Sequence, residues 1–552
     1  MPFQSPFPPI DVPDVSLPAF VLEQCAARGD HPALVDGVTG RTITYAELPV
    51  LVRRAAAGLA ARGFGRGDVF AVWCPNVLEY AVIIHAVTLL GGTVTTANPL
   101  YTVDELSAQL ADARARMLLT IAPLLPAARE AATRAGVREL LVLGEPPEGS
   151  GATPFAALYV HGDEPPAVTI DPGVDLAFLP YSSGTTGLPK GVMLTHRNVV
   201  ANILQTTPAE VQVVRADDRV LAVLPFFHIY GLVPVLNAGL RLGATLIVLP
   251  RFELEGFLQA MSAHRVSVCF VVPPIVLALA KHPAVAAHDL SALRLVFSGA
   301  APLDAGLARA CAERLGCTVR QGYGLTESSP VTHLSSPFDP PDKVGAVGRL
   351  VANCELRIVD LATGGDVGPG ADGEVWIRGP QVMRGYLARP DATAATLDAD
   401  GWLHTGDVGF VDADGFLFVV DRVKELIKYK GLQVAPAELE GLLLAHHDVA
   451  DVAVIPHPDA EAGEVPAAYV VPRPGVAADA DTAEGLRAWV AARVAPHKRI
   501  RHVTFVEQIP KSPSGKILRR VLVARARAAA EAPSLAGAST GPASTPVGTS
   551  PG

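Results

Sequence analysis

Cysteine is sparse and falls in no recognisable spacing. Six residues, Cys25, Cys74, Cys269, Cys311, Cys317 and Cys354, are scattered over 552 positions with no Cys-x-x-Cys pair. That pattern argues against a zinc site or a disulfide framework and fits a reducing compartment. Long apolar runs are missing too. The longest, "VSVCFVVPPIVLALA", is too short to cross a bilayer and contains Pro273 and Pro274, so no stable membrane insertion is expected. The opening "MPFQSPFPPIDVPDV" has neither a basic n-region nor an apolar h-region; no secretory signal is expected, and the expected location is the cytoplasm. An excess of positive charge is also lacking. The net charge of -10 argues against a general nucleic-acid binder, although local cationic sites for small anions can exist in an acidic protein. No internal repeat is found, and nothing specifies an oligomeric state.

What is present is a chain that is 49% hydrophobic and 18% charged, long enough for two or more domains. From about Leu17 to Arg251, helical patterns such as "TYAELPVLVRRAAAGLAARG" alternate with short apolar runs such as "VFAVWCP" and "GTVTTANP". The alternation continues through "RVSVCFVVPP" and "LRLVFSGAAP". This is the rhythm of βα units on mostly parallel sheets. After Gly345 short strands and turns take over ("CELRIVD", "GEVWIRGP", "GFLFVVDR"), predicting a β-rich subdomain. From Val423 a smaller α+β unit follows: the helix-like "APAELEGLLLAH", the strands "VADVAVIP" and "AAYVVPR", and the helix "AEGLRAWVAARV". The final stretch is rich in Ala, Ser, Pro, Thr and Gly without periodicity and reads as a disordered tail. The expected fold class is α/β: a large domain over 1–421, a small mobile domain over 422–530 and a tail over 531–552.

"YSSGTTGLPKG", Tyr181 to Gly191, carries three glycines, four hydroxyl residues and a lysine behind an apolar segment. It is not a Walker A motif, which needs Gly before the Lys and Ser or Thr after it. Backbone N–H groups, hydroxyls and Lys190 in such a loop suit a phosphate cradle. A plain surface turn uses the same residue types.

The extended stretch "YSSGTTGLPKGVMLTHRN" resembles the phosphate-binding signature of the adenylate-forming enzymes, the superfamily of acyl-CoA synthetases, luciferases and peptide-synthetase adenylation domains. Further matches follow in order: "QGYGLTE", "GEVWIRGP", "GWLHTGD", "VDRVKELIKYKGLQVAPAELE" and "PKSPSGKILRR". Together they cover the chain from roughly Pro13 to Arg520. Within the superfamily, "LPFFHIYGL", "SGAAPL" and "LIKYKGLQVAPAELE" are most similar to 4-coumarate:CoA ligases and bacterial cinnamate-activating relatives.

The resemblance implies a two-step reaction on a small-molecule carboxylate, with ATP and coenzyme A as co-substrates and Mg²⁺ as the ion. It places Ser182, Ser183, Gly184, Thr185, Thr186 and Lys190 around the β- and γ-phosphates. Thr326 would meet the α-phosphate, Glu327 the Mg²⁺, and Asp407 the ribose. Ala300, Gln321, Gly322, Arg422, Lys424, Lys428 and Gln433 complete the nucleotide site, with Lys516 as the adenylating lysine. Lys430 and Gly431 would meet CoA, and Asp421 with Arg422 would form the hinge. The acyl group would lie among His228, Tyr230, Phe297, Gly299, Ala300, Gly322, Gly324, Pro330 and Val331, where three glycines are expected to leave room for a flat ring. Phe297 is bulkier than expected in the plant enzymes, which leaves the ring substitution open. A medium-chain fatty acyl-CoA synthetase is the alternative substrate reading. A carrier-loading adenylation enzyme is the next rival, but "LLGGTVTT" has Thr where a carrier site needs Ser and reads as the start of a strand. A luciferase-like oxygenase and a ligand sensor without activity are the more distant readings.

Overall fold

Each apolar run in the first part of the chain becomes a buried strand, and each amphipathic stretch becomes a helix over it. In the computed structural model, which describes residues 2–531 except 163, 183–188, 209, 212, 431, 460 and 513–514, contacts group the chain into two units. The first comprises residues 1–424 and 513–516, and the second the remainder.

The first unit contains two nine-stranded sheets and a five-stranded one. In one large sheet, strands Val69–Val72, Thr93–Thr96, Ala115–Ile121 and Glu139–Leu143 run parallel. The hairpin of Tyr181–Ser182 and Lys190–Thr195 adds antiparallel strands at one side. In the other, Arg219–Ala222, Thr245–Val248, Val268–Val271, Leu295–Ser298 and Thr318–Gly324 are parallel neighbours. Val331–Leu334 then turns back antiparallel. Helix Glu47–Ala61 lies where its periodicity predicts it and buries Leu48, Val52, Ala55 and Leu59. The β-rich subdomain expected after Gly345 is the five-stranded antiparallel sheet that includes Glu355–Val359, Gly373–Arg378, Leu403–Val411 and Leu417–Arg422. One continuous apolar core runs through both large sheets, from Leu17 to Leu417.

The second unit is a sheet built on the long hairpin Val449–Asp459 and Gly463–Pro472. Helices Pro436–Leu444 and Ala480–Ala491 cover a core of Ile427, Leu439, Leu443, Val452 and Val490. Helix Arg519–Glu531 ends the described chain, and Arg519 forms ion pairs with Glu425 and Glu440. The tail expectation lies, from residue 532 onward, outside the described residues. Among the described residues no helix is long and apolar enough to cross a membrane.

Candidate active site

The phosphate signature folds as a hairpin because its flanks, not its middle, carry strand-forming residues. Ser182 pairs with Lys190 and Tyr181 with Gly191, so both ends of the glycine-rich segment are fixed opposite each other. Ser183, Gly184, Thr185 and Thr186 lie outside the described residues. Tyr181 donates from its hydroxyl to Asp112 Oδ2 at 2.7 Å, and Asp112 also holds Arg389 at 2.9 Å. Strand Lys190–Thr195 leads into helix His196–Gln205 through a capping box, with Thr195 Oγ1 accepting from the Asn198 amide.

Glu327 sits on the short 3₁₀ turn Thr326–Ser328 and is buried. Its Oε1 accepts from Ser182 Oγ at 2.8 Å and from the Tyr386 hydroxyl at 2.8 Å. Among the described residues no Lys or Arg is ion-paired with it. A buried carboxylate held by neutral donors on one oxygen is a hard oxygen ligand of the kind Mg²⁺ takes. The Lys190 ammonium lies 4.5 Å from the centroid of the Tyr386 ring. Thr326, half-buried, stands on the same turn as Glu327.

Asp407 is buried, with Tyr323 donating to Oδ2 at 2.6 Å and Arg422 Nε 3.0 Å from Oδ1. Burial first, and then the Asp407 charge, hold the Tyr323 phenol well above its ordinary pKa. Asp421 and Arg422 end strand Leu417–Arg422, where Asp421 pairs with Val408 and Arg422 with Asp407. Lys424 is the exposed residue at which the first unit's main segment ends. The Gln321 amide is used internally: Oε1 accepts from the Leu303 amide at 3.3 Å and Nε2 donates to the Val344 carbonyl at 3.1 Å. Its side chain is therefore a brace for the segment after Ala300 rather than a group aimed at a ligand. Ala300 itself holds φ at +70°, a conformation that costs an alanine energy and marks a constrained position.

The acyl residues correct one expectation. The three glycines are not open space. A Cβ on Gly299 would lie 2.8 Å from the Tyr230 ring, and one on Gly322 would lie 3.1 Å from the Phe297 ring. At Gly324 the obstacle is backbone, with the Pro330 carbonyl oxygen 2.0 Å away. The first two glycines seat the protein's own aromatic rings, and the third permits the tight return of the chain to Pro330 and Val331. Tyr230, Phe270 and Phe297 form an aromatic run, with centroids 6.2 and 5.7 Å apart in sequence of contact. The Tyr230 hydroxyl donates to the Phe297 carbonyl at 3.2 Å. His228 Nδ1 accepts from the Tyr230 amide at 3.2 Å, so its proton belongs on Nε2. Burial, and secondly the Lys516 charge, push the His228 imidazole down to about 4, keeping it neutral near pH 7. Lys516 belongs by its contacts to the first unit, and its neighbour Gly515 packs against Val272 and Pro274.

In the second unit Lys428 and Gln433 face each other across a two-stranded ladder and are exposed. Lys430 follows with φ of +48° and its ammonium 3.7 Å from Glu461. Gly431 lies outside the described residues.

Motif reading missed several residues that hold this arrangement. Tyr386, in "MRGYLARP", touches both Lys190 and Glu327. Phe270 joins the aromatic run. Three amides on helix His196–Gln205 tie separate segments together: Asn198 donates to Pro380 and Val382, Asn202 makes two hydrogen bonds with the Val331 backbone, and Gln205 donates to Ala352. Their one sequence signal is amides recurring at helical spacing in an otherwise apolar helix.

Comparison with known proteins agrees with the motifs. The AMP-binding enzyme family model matches residues 21–387, and the AMP-binding enzyme C-terminal domain model matches residues 438–516. The chain is 45% identical over 542 residues to 4-coumarate–CoA ligase 5 of Oryza sativa subsp. japonica, covering 96% of this chain and 98% of that protein. It is 42% identical over 532 residues to 4-coumarate–CoA ligase 3 of Arabidopsis thaliana, covering 95% and 94%. Among solved structures, the anthranilate CoA ligase AuaEII in complex with anthranoyl-AMP superposes with a TM-score of 0.86 at 25% identity, over 94% of this chain and 99% of that one. A benzoate CoA ligase from Burkholderia xenovorans LB400 gives 0.83 at 25%, over 92% and 99%. With both family models in place and near-full-length likeness to several ligases, the chain belongs to the adenylate-forming AMP-binding enzymes.

Proposed function

We propose that the protein is an ATP-dependent acid–thiol ligase that activates an aromatic carboxylate of the 4-coumarate or cinnamate type. The carrying observation is a neutral aromatic wall of Tyr230, Phe270 and Phe297 in the same unit as the hairpin that brings Ser182 and Lys190 to Glu327. In the first step a carboxylate oxygen bonds to the α-phosphorus of ATP as pyrophosphate departs. In the second the CoA sulfur bonds to the acyl carbonyl, its proton is lost and AMP departs. Neither step needs a protein nucleophile; both need positioning and charge stabilisation.

Ser182 to Thr186 and Lys190 wrap the β- and γ-phosphates, and Thr326 donates to the α-phosphate. Glu327 would hold Mg²⁺, which when bound offsets the negative charge of the phosphate oxygens. Asp407 accepts from the ribose hydroxyls, its orientation fixed by Tyr323 and Arg422. Ala300 and Gly322 line the nucleotide through backbone, braced by Gln321, and Lys424, Lys428 and Gln433 complete the site. Lys516 bridges the substrate carboxylate and the α-phosphate as negative charge shifts between them. Neutral His228 positions the carboxylate without forming a competing ion pair. Lys430 and Gly431 meet CoA. Asp421 and Arg422 act as the hinge between the adenylating and thioester-forming arrangements of a large domain, 1–421, and a small one, 422–530.

A panel of cinnamate, 4-coumarate, caffeate, benzoate, octanoate and phenylalanine tests this, following pyrophosphate release with and without CoA. Aryl acids should turn over, and phenylalanine should fail because its ammonium would be desolvated without a partner. Cinnamate should match or exceed 4-coumarate, because the Tyr230 hydroxyl already spends its proton on the Phe297 carbonyl. Octanoate exceeding every aryl acid in kcat/KM would overturn the aromatic assignment and leave the ligase standing. No pyrophosphate with any acid would overturn both.

A further inference from the structure

Lys190 and Glu327 are the two charged groups assigned above to the phosphates and their ion, and a single side chain touches both. Tyr386 donates its hydroxyl to Glu327 Oε1 at 2.8 Å, and its ring centroid lies 4.5 Å from the Lys190 ammonium. We propose that Tyr386 is a positioning residue of the Mg·ATP site: its hydroxyl orients the Glu327 carboxylate for the cation, and its ring face holds Lys190 within reach of the phosphates. The inference rests on the reading that ATP binds here.

The geometry favours this over ordinary packing in three ways. First, Oε1 already receives two neutral donors, Ser182 Oγ and the Tyr386 hydroxyl. Both stay uncharged, so the carboxylate keeps its full charge for a metal while its rotation is arrested. Second, Tyr386 is pinned on every side. Val192 pairs with Tyr386 and Met193 with Gly385 in an antiparallel ladder. The Tyr386 amide donates to Thr393 Oγ1 at 2.9 Å, and the Leu387 amide to the Gly191 carbonyl at 2.9 Å. A Cβ at Gly385 would lie 2.8 Å from Thr393, so this close approach of chain to chain needs glycine. Third, the segment holds Glu327 by backbone as well, through the Met383 amide and the Glu327 carbonyl at 2.8 Å. One rigid strand thus fixes the metal ligand and the lysine together. A contact between an ammonium and a ring face is weak beside its attraction to phosphate, so Lys190 can leave the ring when ATP arrives.

Two variants separate the roles. Tyr386→Phe keeps the ring and removes the hydroxyl; Tyr386→Leu removes both. ATP binding to the full-length protein, with no acid present, is measured calorimetrically over a Mg²⁺ titration and again in EDTA, with thermal midpoints read alongside. Tyr386→Phe should raise the Mg²⁺ concentration for half-maximal ATP binding by about tenfold, the usual scale for losing a group that orients a metal ligand. Its ATP affinity in EDTA should stay within about twofold of wild type, since the lysine contact survives. Tyr386→Leu should show the same Mg²⁺ shift and a further loss of ATP affinity in EDTA, and this extra loss should vanish in a Lys190→Met background. An unchanged Mg²⁺ midpoint in Tyr386→Phe overturns the proposal, as does a lowered thermal midpoint with no Mg²⁺ shift. Equal behaviour of both variants in EDTA overturns the lysine half. If the wild-type protein does not bind ATP, the ligase reading itself fails, and that result is distinct from all of these.

Discussion

A lysine that does its work only while charge is moving should be separable from one that merely binds. Lys516→Ala is expected to lower acyl-adenylate formation on the order of 100-fold or more and to leave the reaction of supplied acyl-AMP with CoA largely intact. Rapid-quench measurement of each half-reaction checks this, and equal loss in both would remove Lys516 from the adenylating role. Gly324→Ala is a different kind of change. The new Cβ would sit on the Pro330 carbonyl oxygen, so the return from Thr318–Gly324 to Val331–Leu334 must shift and take Thr326 and Glu327 with it. ATP binding should weaken along with thermal stability, which differential scanning with and without Mg·ATP would detect. At this scale the sequence was legible wherever a motif carried the chemistry, as at Glu327, Asp407 and Lys516. It was silent where a role depends on a neighbour remote in sequence. Nothing in "QGYGLTE" says that Tyr323 holds Asp407, 84 positions away, or in "SGAAP" that the Gly299 space is filled by Tyr230.

Helix His196–Gln205 shows how one element serves several parts of the site. Its apolar residues Val199, Val200 and Ile203 join the core, while Asn198, Asn202 and Gln205 reach out to three other segments. Asn202→Leu should leave the Val331 carbonyl and amide without their partners, at about 1–3 kcal/mol for each buried group orphaned. The expected outcome is a lower denaturation midpoint and a KM that rises for the acid more than for ATP, because Val331 belongs to the proposed acyl wall. Equal rises for both substrates would assign the helix a general supporting role instead. The helix itself was foreseeable from the capping pattern after the phosphate motif. The amide stripe was not, since apolar periodicity ignores buried polar residues whose partners come from elsewhere. Strands fared better: "VFAVWCP", "RVSVCFVVPP" and "GEVWIRGP" all fold as strands, because continuous β-branched and aromatic runs bounded by turns have few other uses.

For the whole molecule, acid should be destabilising in a definable range. His85, His196 and His333 are fully buried, and burial pushes them down to about 3, 4 and 3 respectively from an ordinary value near 6.5. Because the folded pKa is the lower one, these histidines bind protons in the unfolded chain before the folded one. Stability is therefore whole above about pH 6.5 and falls as pH drops toward 3–4, by up to about 1.4 kcal/mol per pH unit for each group. Urea midpoints at pH 7, 6 and 5 should decline steadily, and His85→Gln should flatten the decline; a midpoint independent of pH over that interval would contradict it. The same three imidazoles make unfolding a proton-consuming event. Near pH 5.5 the chain should draw on the order of three protons from its surroundings as it opens, so the heat measured in a calorimeter should change with the ionisation enthalpy of the buffer, cacodylate against histidine for example, while the transition temperature stays put.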